Sequence, residues 1–111
     1  MTLRTGIDLV HIPRFAKFLE NPAAVKRTFS SKELERDSVE HLAGVFAIKE
    51  AFFKALGKSP DFLAVEVSPS RGKPSLLFSE SFGILSYDVS VSHDADYCVA
   101  SVVMMVEDNH E

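Results

Sequence analysis

The sequence predicts an α+β domain: a mainly antiparallel sheet packed on one long helix, with several short helices beside it. Three observations point there. The run from His41 to Leu56 carries apolar residues at helical spacing and contains no proline. Tyr87–Ser92 alternates apolar with polar residues, and Tyr97–Val106 is rich in valine, so both read as strands. Turn signals bound further short strands between the long helix and these two. At 111 residues the chain has room for one domain, spanning 1–111, with a core modest enough to be completed by a partner subunit.

Taken in order, residues 3–10 read as a strand, and Gly6 inside it suggests a bulge or a close approach by another group. Pro13 sits near the first position of a helix that carries Phe15, Phe18 and Leu19 on one face, and Asn21-Pro22 breaks it. Ser30 stands three residues before Glu33, a capping-box pattern that starts another short helix. Leu42, Val45, Phe46, Phe52, Phe53 and Leu56 form the stripe of the His41–Leu56 helix, and Gly57 fits its C-terminal cap. Phe62–Val67 reads as a strand, Ser70–Lys73 as a turn and Pro74–Phe78 as the return strand. Ser79–Leu85 is expected to be a short helix. His93–Asp96 joins the last two strands as a tight hairpin connection, and Glu107–Glu111 reads as a frayed acidic tail.

Hydrophobic residues make up 46% of the chain and charged residues 25%, which argues against a disordered or fibrous protein. Nine Phe and no Trp place the core on Phe, Leu, Ile and Val. Cys98 is the only cysteine, so an intrachain disulfide and a multi-Cys zinc site are excluded, and its strand context makes it a buried structural thiol. The first residues lack the apolar run of a signal peptide, and the ten uncharged residues Tyr97–Val106 are too few to cross a bilayer as a helix. No membrane role and a cytoplasmic location are expected. Net charge is −4, yet residues 1–36 hold seven basic and four acidic side chains, a local net of +3. A uniform nucleic-acid binder does not look like this. A basic face that meets an acidic protein fits the bias, as does scattered solvated charge.

Glu50 stands among Ala47, Ile48, Ala51, Phe52 and Phe53 and shares a helix face with Phe46 and Lys54, while Lys49 lies about 100° round the helix. Taken alone this is an ordinary surface Glu–Lys pair. Asp8 changes the reading, because an acid inside the apolar strand Gly6–Val10 needs a partner if it is buried. A strand carboxylate and a helix carboxylate together suit a hard cation such as Mg²⁺, which takes one or two carboxylates and completes its shell with waters and substrate phosphates. His93 is either a turn residue or, with Ser90 and Ser92, part of an anion-binding corner. Gly72-Lys73-Pro74 alone reads as a hairpin turn with a solvated lysine.

These blocks have an order: Gly6-Ile7-Asp8-Leu9-Val10 with Ile12 and Arg14, then Phe29-Ser30 with Glu33-Leu34. Leu42 to Gly57 follows, containing Phe46-Ala47-Ile48-Lys49-Glu50-Ala51, and Gly72-Lys73-Pro74 and Val89–Asp94 complete it. So arranged, the chain resembles the holo-acyl-carrier-protein synthases, the short group of 4′-phosphopantetheinyl transferases. The resemblance implies a single transferase domain that moves the phosphopantetheine arm of coenzyme A onto a serine of acyl carrier protein in support of fatty acid biosynthesis, releasing adenosine 3′,5′-bisphosphate.

By that likeness Asp8 and Glu50 are the Mg²⁺ ligands, Glu50 is the candidate base, directly or through a metal-bound water, and Lys54 meets a phosphate oxygen. Lys49 either steers the nucleotide phosphates or is solvated. Gly57, Gly72, Lys73, Pro74, Ser92 and His93 inherit contacts to coenzyme A. Arg14 matches the residue that meets the carrier protein, and a homotrimer with sites between subunits is expected. Two departures stand out. The family usually carries arginine where this chain has Val45, so the missing charge is to be supplied by Lys58, Arg71 or Lys73, or else the chain binds coenzyme A or carrier protein without transfer. The Gly57–Phe62 segment is also shorter and poorer in glycine than the family's usual loop.

Overall fold

The computed structural model describes residues 1–68 and 72–108. Its elements are β1 (Thr2–His11), α1 (Ile12–Phe18), α2 (Pro22–Thr28), a single 3-10 turn (Glu33–Glu35), α3 (Val39–Leu56), a second 3-10 turn (Phe62–Ala64), β2 (Val65–Ser68), β3 (Ser75–Phe78), β4 (Ile84–Asp94) and β5 (Tyr97–Val106). The α+β expectation holds, with one difference. The strands form two antiparallel sheets, β1-β5-β4 and β2-β3, instead of one.

Helix α3 is framed by its caps. The Ser38 hydroxyl accepts from the His41 amide at 3.2 Å, and Gly57 closes the other end with φ 71°, donating to the Lys54 carbonyl at 3.1 Å. Ala43, Ala47 and Ala51 are fully buried along α3, and these small side chains let the helix lie close to the three-stranded sheet. Gly6 completes that approach. A Cβ on Gly6 would stand 1.9 Å from the Ala51 carbonyl oxygen, so the strand and helix backbones touch where Gly6 pairs with Val102 of β5. The core then fills with Cys98, Ala100, Val102 and Met104 from β5, with Phe52 and Phe53 from α3, and with Val65 from β2.

The other face of the β1-β5-β4 sheet is different. Leu3, Ile7, Leu9 and Tyr97 stand on it, between 47% and 64% exposed. Alternation along β1 forces this outcome, since Gly6, Asp8 and Val10 take the inner positions.

The break at Asn21-Pro22 holds: α1 ends at Phe18, and Pro22 then opens a second helix, α2, which the Asn21 side chain caps by accepting from the Ala24 amide at 3.1 Å. Two local expectations are corrected. The Ser30–Glu33 capping box exists, with Glu33 Oε1 accepting from the Ser30 amide at 2.8 Å, but it opens only a 3-10 turn. Residues 79–85 form no helix. Phe82 and Gly83 have φ of 55° and 71°, and the chain turns there so that the Phe82 ring meets Phe52, Phe53 and Phe78. Ser70 and Arg71 of the expected turn, and the end of the expected tail, lie outside the described residues.

The β4–β5 hairpin turns at Ala95-Asp96, pinned to the start of α1 by the Ile12 amide on the Asp96 carbonyl at 2.8 Å. Ala95 has φ 52°, a conformation that costs an L-residue about 1 kcal/mol. Ala95→Gly is therefore expected to stabilise the protein by up to ~1 kcal/mol, read as a higher urea midpoint at unchanged slope.

Candidate active site

Where β1 crosses α3, the inner side of the strand presents Asp8, whose side chain is 14% exposed. Lys54 reaches it from the last turn of α3, with Nζ 3.0 Å from Asp8 Oδ1 and 3.1 Å from the Ile7 carbonyl oxygen. Glu50 lies one turn earlier on the same face. Burial pushes the Glu50 carboxyl above the usual carboxylate range, the Asp8 charge pushes it further, and Lys54 pulls the other way. The crossing thus gathers two acids that repel one another and one ammonium that offsets part of that repulsion. A divalent hard cation would offset the rest, and Asp8 and Glu50 can hold one. Among the described residues no cluster of three or more metal-ligating side chains exists, so a cation here would keep open positions for water or phosphate oxygens.

Glu50 also forms part of the wall of a cavity of about 600 Å³ between α2, α3 and the second 3-10 turn. Phe18, Phe46, Phe62 and Leu63 give it apolar walls, and Arg27 and Asp61 bring charge to it. Sequence reasoning missed this cavity because its walls come from segments far apart in the chain.

Lys49 is a correction. It neither steers phosphates nor meets solvent: it is fully buried, and Nζ donates to Glu33 Oε1 at 2.7 Å, the Thr28 carbonyl at 2.8 Å and the Phe62 carbonyl at 2.9 Å. Burial lowers its pKa, while the Glu33 carboxylate works in the opposite direction.

A second cavity of about 180 Å³ lies elsewhere on α3 and gathers Gly72, Pro74 and His93 with Arg36 and His41. His93 packs against Gly44, its Cε1 being 3.7 Å from where a Cβ on that glycine would stand. Burial holds His41 below its ordinary pKa, the neighbouring Arg36 adds to this, and Glu33 opposes it. Val45 is buried in the same wall and offers no charge. Arg36 and His41 were not singled out from the sequence. The only signal was their position in the charged segment just ahead of α3.

The remaining residues divide. Lys73 pairs with Asp88, Nζ to Oδ1 at 2.7 Å, beside a third cavity that Gly72, Pro74, Ser90 and His93 also line. Ser92 takes the outer face of β4, opposite to His93, so one chain does not bring the two together. Lys58 stands over the Phe82 ring at 5.9 Å, Arg71 lies outside the described residues, and Gly57 faces the Arg4 guanidinium. Arg14 is exposed on α1 along an open groove with Leu9, His11 and Phe18. The helix itself separates the two main clusters: at 100° per residue, Val45 and Glu50 project about 140° apart.

Comparison with known proteins gives the family. The profile of the 4′-phosphopantetheinyl transferase superfamily matches residues 4–102. A holo-[acyl-carrier-protein] synthase from Geotalea daltonii is 35% identical over 94% of this chain and 98% of its own length. One from Thermotoga maritima is 41% identical over 94% of this chain, which spans 63% of that longer protein. Among solved structures, the Helicobacter pylori holo-[acyl-carrier-protein] synthase in complex with coenzyme A superposes with a TM-score of 0.79 at 36% identity, covering 91% of this chain and 99% of that one. The Bacillus anthracis enzyme in complex with CoA (3′,5′-ADP) gives 0.79 at 31% identity, covering 94% and 96%. No helix among the described residues is long and apolar enough to cross a membrane. With a profile match across most of the chain and full-length relatives above 30% identity, this chain belongs to the holo-[acyl-carrier-protein] synthases of the 4′-phosphopantetheinyl transferase superfamily.

Proposed function

We propose that the protein transfers the 4′-phosphopantetheine group of coenzyme A to a serine hydroxyl of apo acyl carrier protein, with Mg²⁺ as cofactor, and so serves fatty acid biosynthesis. The observation that carries this reading is the Asp8–Glu50–Lys54 cluster at the β1–α3 crossing, in a chain whose relatives bear that activity in their names. The serine oxygen attacks the phosphorus next to the pantetheine arm. The bond from that phosphorus to the bridging oxygen breaks, and adenosine 3′,5′-bisphosphate leaves with the electron pair.

Asp8 and Glu50 would hold the Mg²⁺, which supplies charge neutralisation on the pyrophosphate and orientation of the attack. Glu50 takes the serine proton, directly or through a water. Lys54, already 3.0 Å from Asp8, meets a phosphate oxygen as a point charge. Gly57, Gly72, Pro74, Ser92 and His93 bind the nucleotide part. Arg36, in the cavity beside His93, supplies the positive charge that Val45 lacks, and the His41 imidazole, held neutral by burial and by Arg36, offers a hydrogen-bonding group. Lys73 adds a further cation once the nucleotide competes with Asp88. Arg14 and the basic surplus of residues 1–36 face the acidic carrier protein.

A homotrimer joins the two clusters that α3 separates, setting the basic cavity of one subunit next to the carboxylates of another. The apolar outer sheet face, with Leu3, Ile7 and Leu9, supports such an association, and sedimentation equilibrium giving the mass of one chain would overturn it. The main test is mass spectrometry of apo carrier protein incubated with coenzyme A, Mg²⁺ and the protein. A gain of one phosphopantetheine group, abolished by EDTA, is expected. Coenzyme A binding without any mass gain would instead favour the binding-only alternative that Val45 raises.

A further inference from the structure

Three segments meet at the buried Lys49 ammonium. The end of α2 supplies the Thr28 carbonyl, the second 3-10 turn supplies the Phe62 carbonyl, and the first 3-10 turn supplies Glu33. Glu33 passes the restraint on: Oε2 accepts from the Val67 amide at 2.7 Å, and Oε1 also accepts from the Ser30 amide at 2.8 Å. Ser30 in turn donates to Glu66 Oε1 at 2.6 Å. Thr28 and Phe62, from two separate segments, both line the cavity whose wall holds Glu50. Thr28, Glu33 and Lys49 are also the only polar or charged side chains among the described residues that are buried. A buried ion pair is a poor source of stability compared with apolar packing, so its presence here calls for another role.

We propose that Lys49 is a positioning residue that sets the width of the Glu50 cavity. Its ammonium draws the Thr28 and Phe62 carbonyls towards one point, and Glu33 anchors that point to β2. The two lining segments then keep a fixed separation, and a molecule in the cavity meets Glu50 at a fixed distance. This rests on the reading of Glu50 as part of the catalytic cluster.

The test uses the full-length protein and the double variant Lys49→Met/Glu33→Gln, which removes both buried charges together. Met104→Ala, a core truncation on β5 at a 1% exposed position, serves as a control for loss of stability alone. All are assayed well below their melting temperatures with coenzyme A and apo carrier protein. The double variant is expected to lose kcat by at least about tenfold with the KM for carrier protein within about twofold of wild type, while Met104→Ala keeps its kcat. A double variant close to wild-type kcat, or equal losses in both variants, overturns the proposal. Should the double variant not fold, Lys49→Gln, which keeps a donor without charge, takes its place under the same criteria.

Hydrogen exchange over 24–30 and 60–66 reads the staple without any assay. At least about tenfold faster exchange is expected in the double variant and none of it in Met104→Ala, and unchanged exchange overturns the proposal. An inactive wild-type protein would reject the proposed function, and the exchange result would still decide the role of Lys49.

Discussion

Gly6→Ala is expected to destabilise the protein by about 3 kcal/mol or more, at the upper end for an overpacked core, and to remove activity from the fraction that still folds. The added methyl would sit 1.9 Å from the Ala51 carbonyl oxygen, and 2.8 Å from the Ala55 nitrogen. Both are backbone atoms of a helix, so neither can rotate away. A carbon–oxygen contact needs roughly 3.3 Å, so β1 and α3 must separate by more than about 1 Å. The strand that moves carries Asp8 two residues further on, while Glu50 and Lys54 remain on the helix. A displacement of about 1 Å at reacting groups can cost 10²-fold in rate. Urea denaturation followed by circular dichroism measures the first effect. The holo-carrier assay at a temperature where the variant is folded measures the second. A variant of wild-type stability would mean that β1 and α3 do not touch at Gly6.

Glu50→Gln separates stability from function in the opposite direction. Transfer is expected to fall by at least about 10³-fold, equivalent to ~4 kcal/mol of transition-state stabilisation, because in the proposed mechanism one substitution removes a metal ligand and the base. The metal-free variant should nevertheless be at least as stable as wild type at neutral pH. In the fold Glu50 binds its proton more tightly than in the unfolded chain, owing to burial and to Asp8. That contribution to stability is complete below the ordinary carboxylate value of 4.5 and is lost as pH rises through the raised one. Charged Glu50 therefore opposes folding at neutral pH, and the amide does not. Mg²⁺ should raise the melting temperature of wild type but not of Glu50→Gln. Thermal scans with and without Mg²⁺ at two pH values test all three statements, and equal Mg²⁺ stabilisation of both proteins would remove Glu50 from the metal site.

The parts legible in the sequence were those set by local rules. Helix α3 announced itself through its stripe and its terminal Gly57. The strands flanking the β4–β5 hairpin showed in their alternation, and Asp8 showed as an acid with no local excuse for lying in an apolar strand. What stayed hidden was set by distant partners. Nothing near Lys49 says that its acceptors are Thr28, Glu33 and Phe62. Its place next to Glu50 suggested chemistry, and tertiary packing placed it in the core instead. Phe82 adopts a left-handed backbone because four aromatic rings pack better that way, which outweighs local preference. Arg36 and His41 join His93 only after the strands around them have folded against α3.

Helix α3 separates the basic cavity from the carboxylates in a way that bears on evolvability. Substitutions lining the cavity, such as valine at position 45, leave the backbone contact at Gly6 and the spacing of Asp8, Glu50 and Lys54 unchanged. On the proposed assignment of the two clusters, nucleotide preference can therefore drift, or be selected in a library built on Arg36, His41 and Val45, without resetting the reacting centre. The β1–α3 seam has no such freedom, and lineages that vary donor recognition should keep that seam fixed.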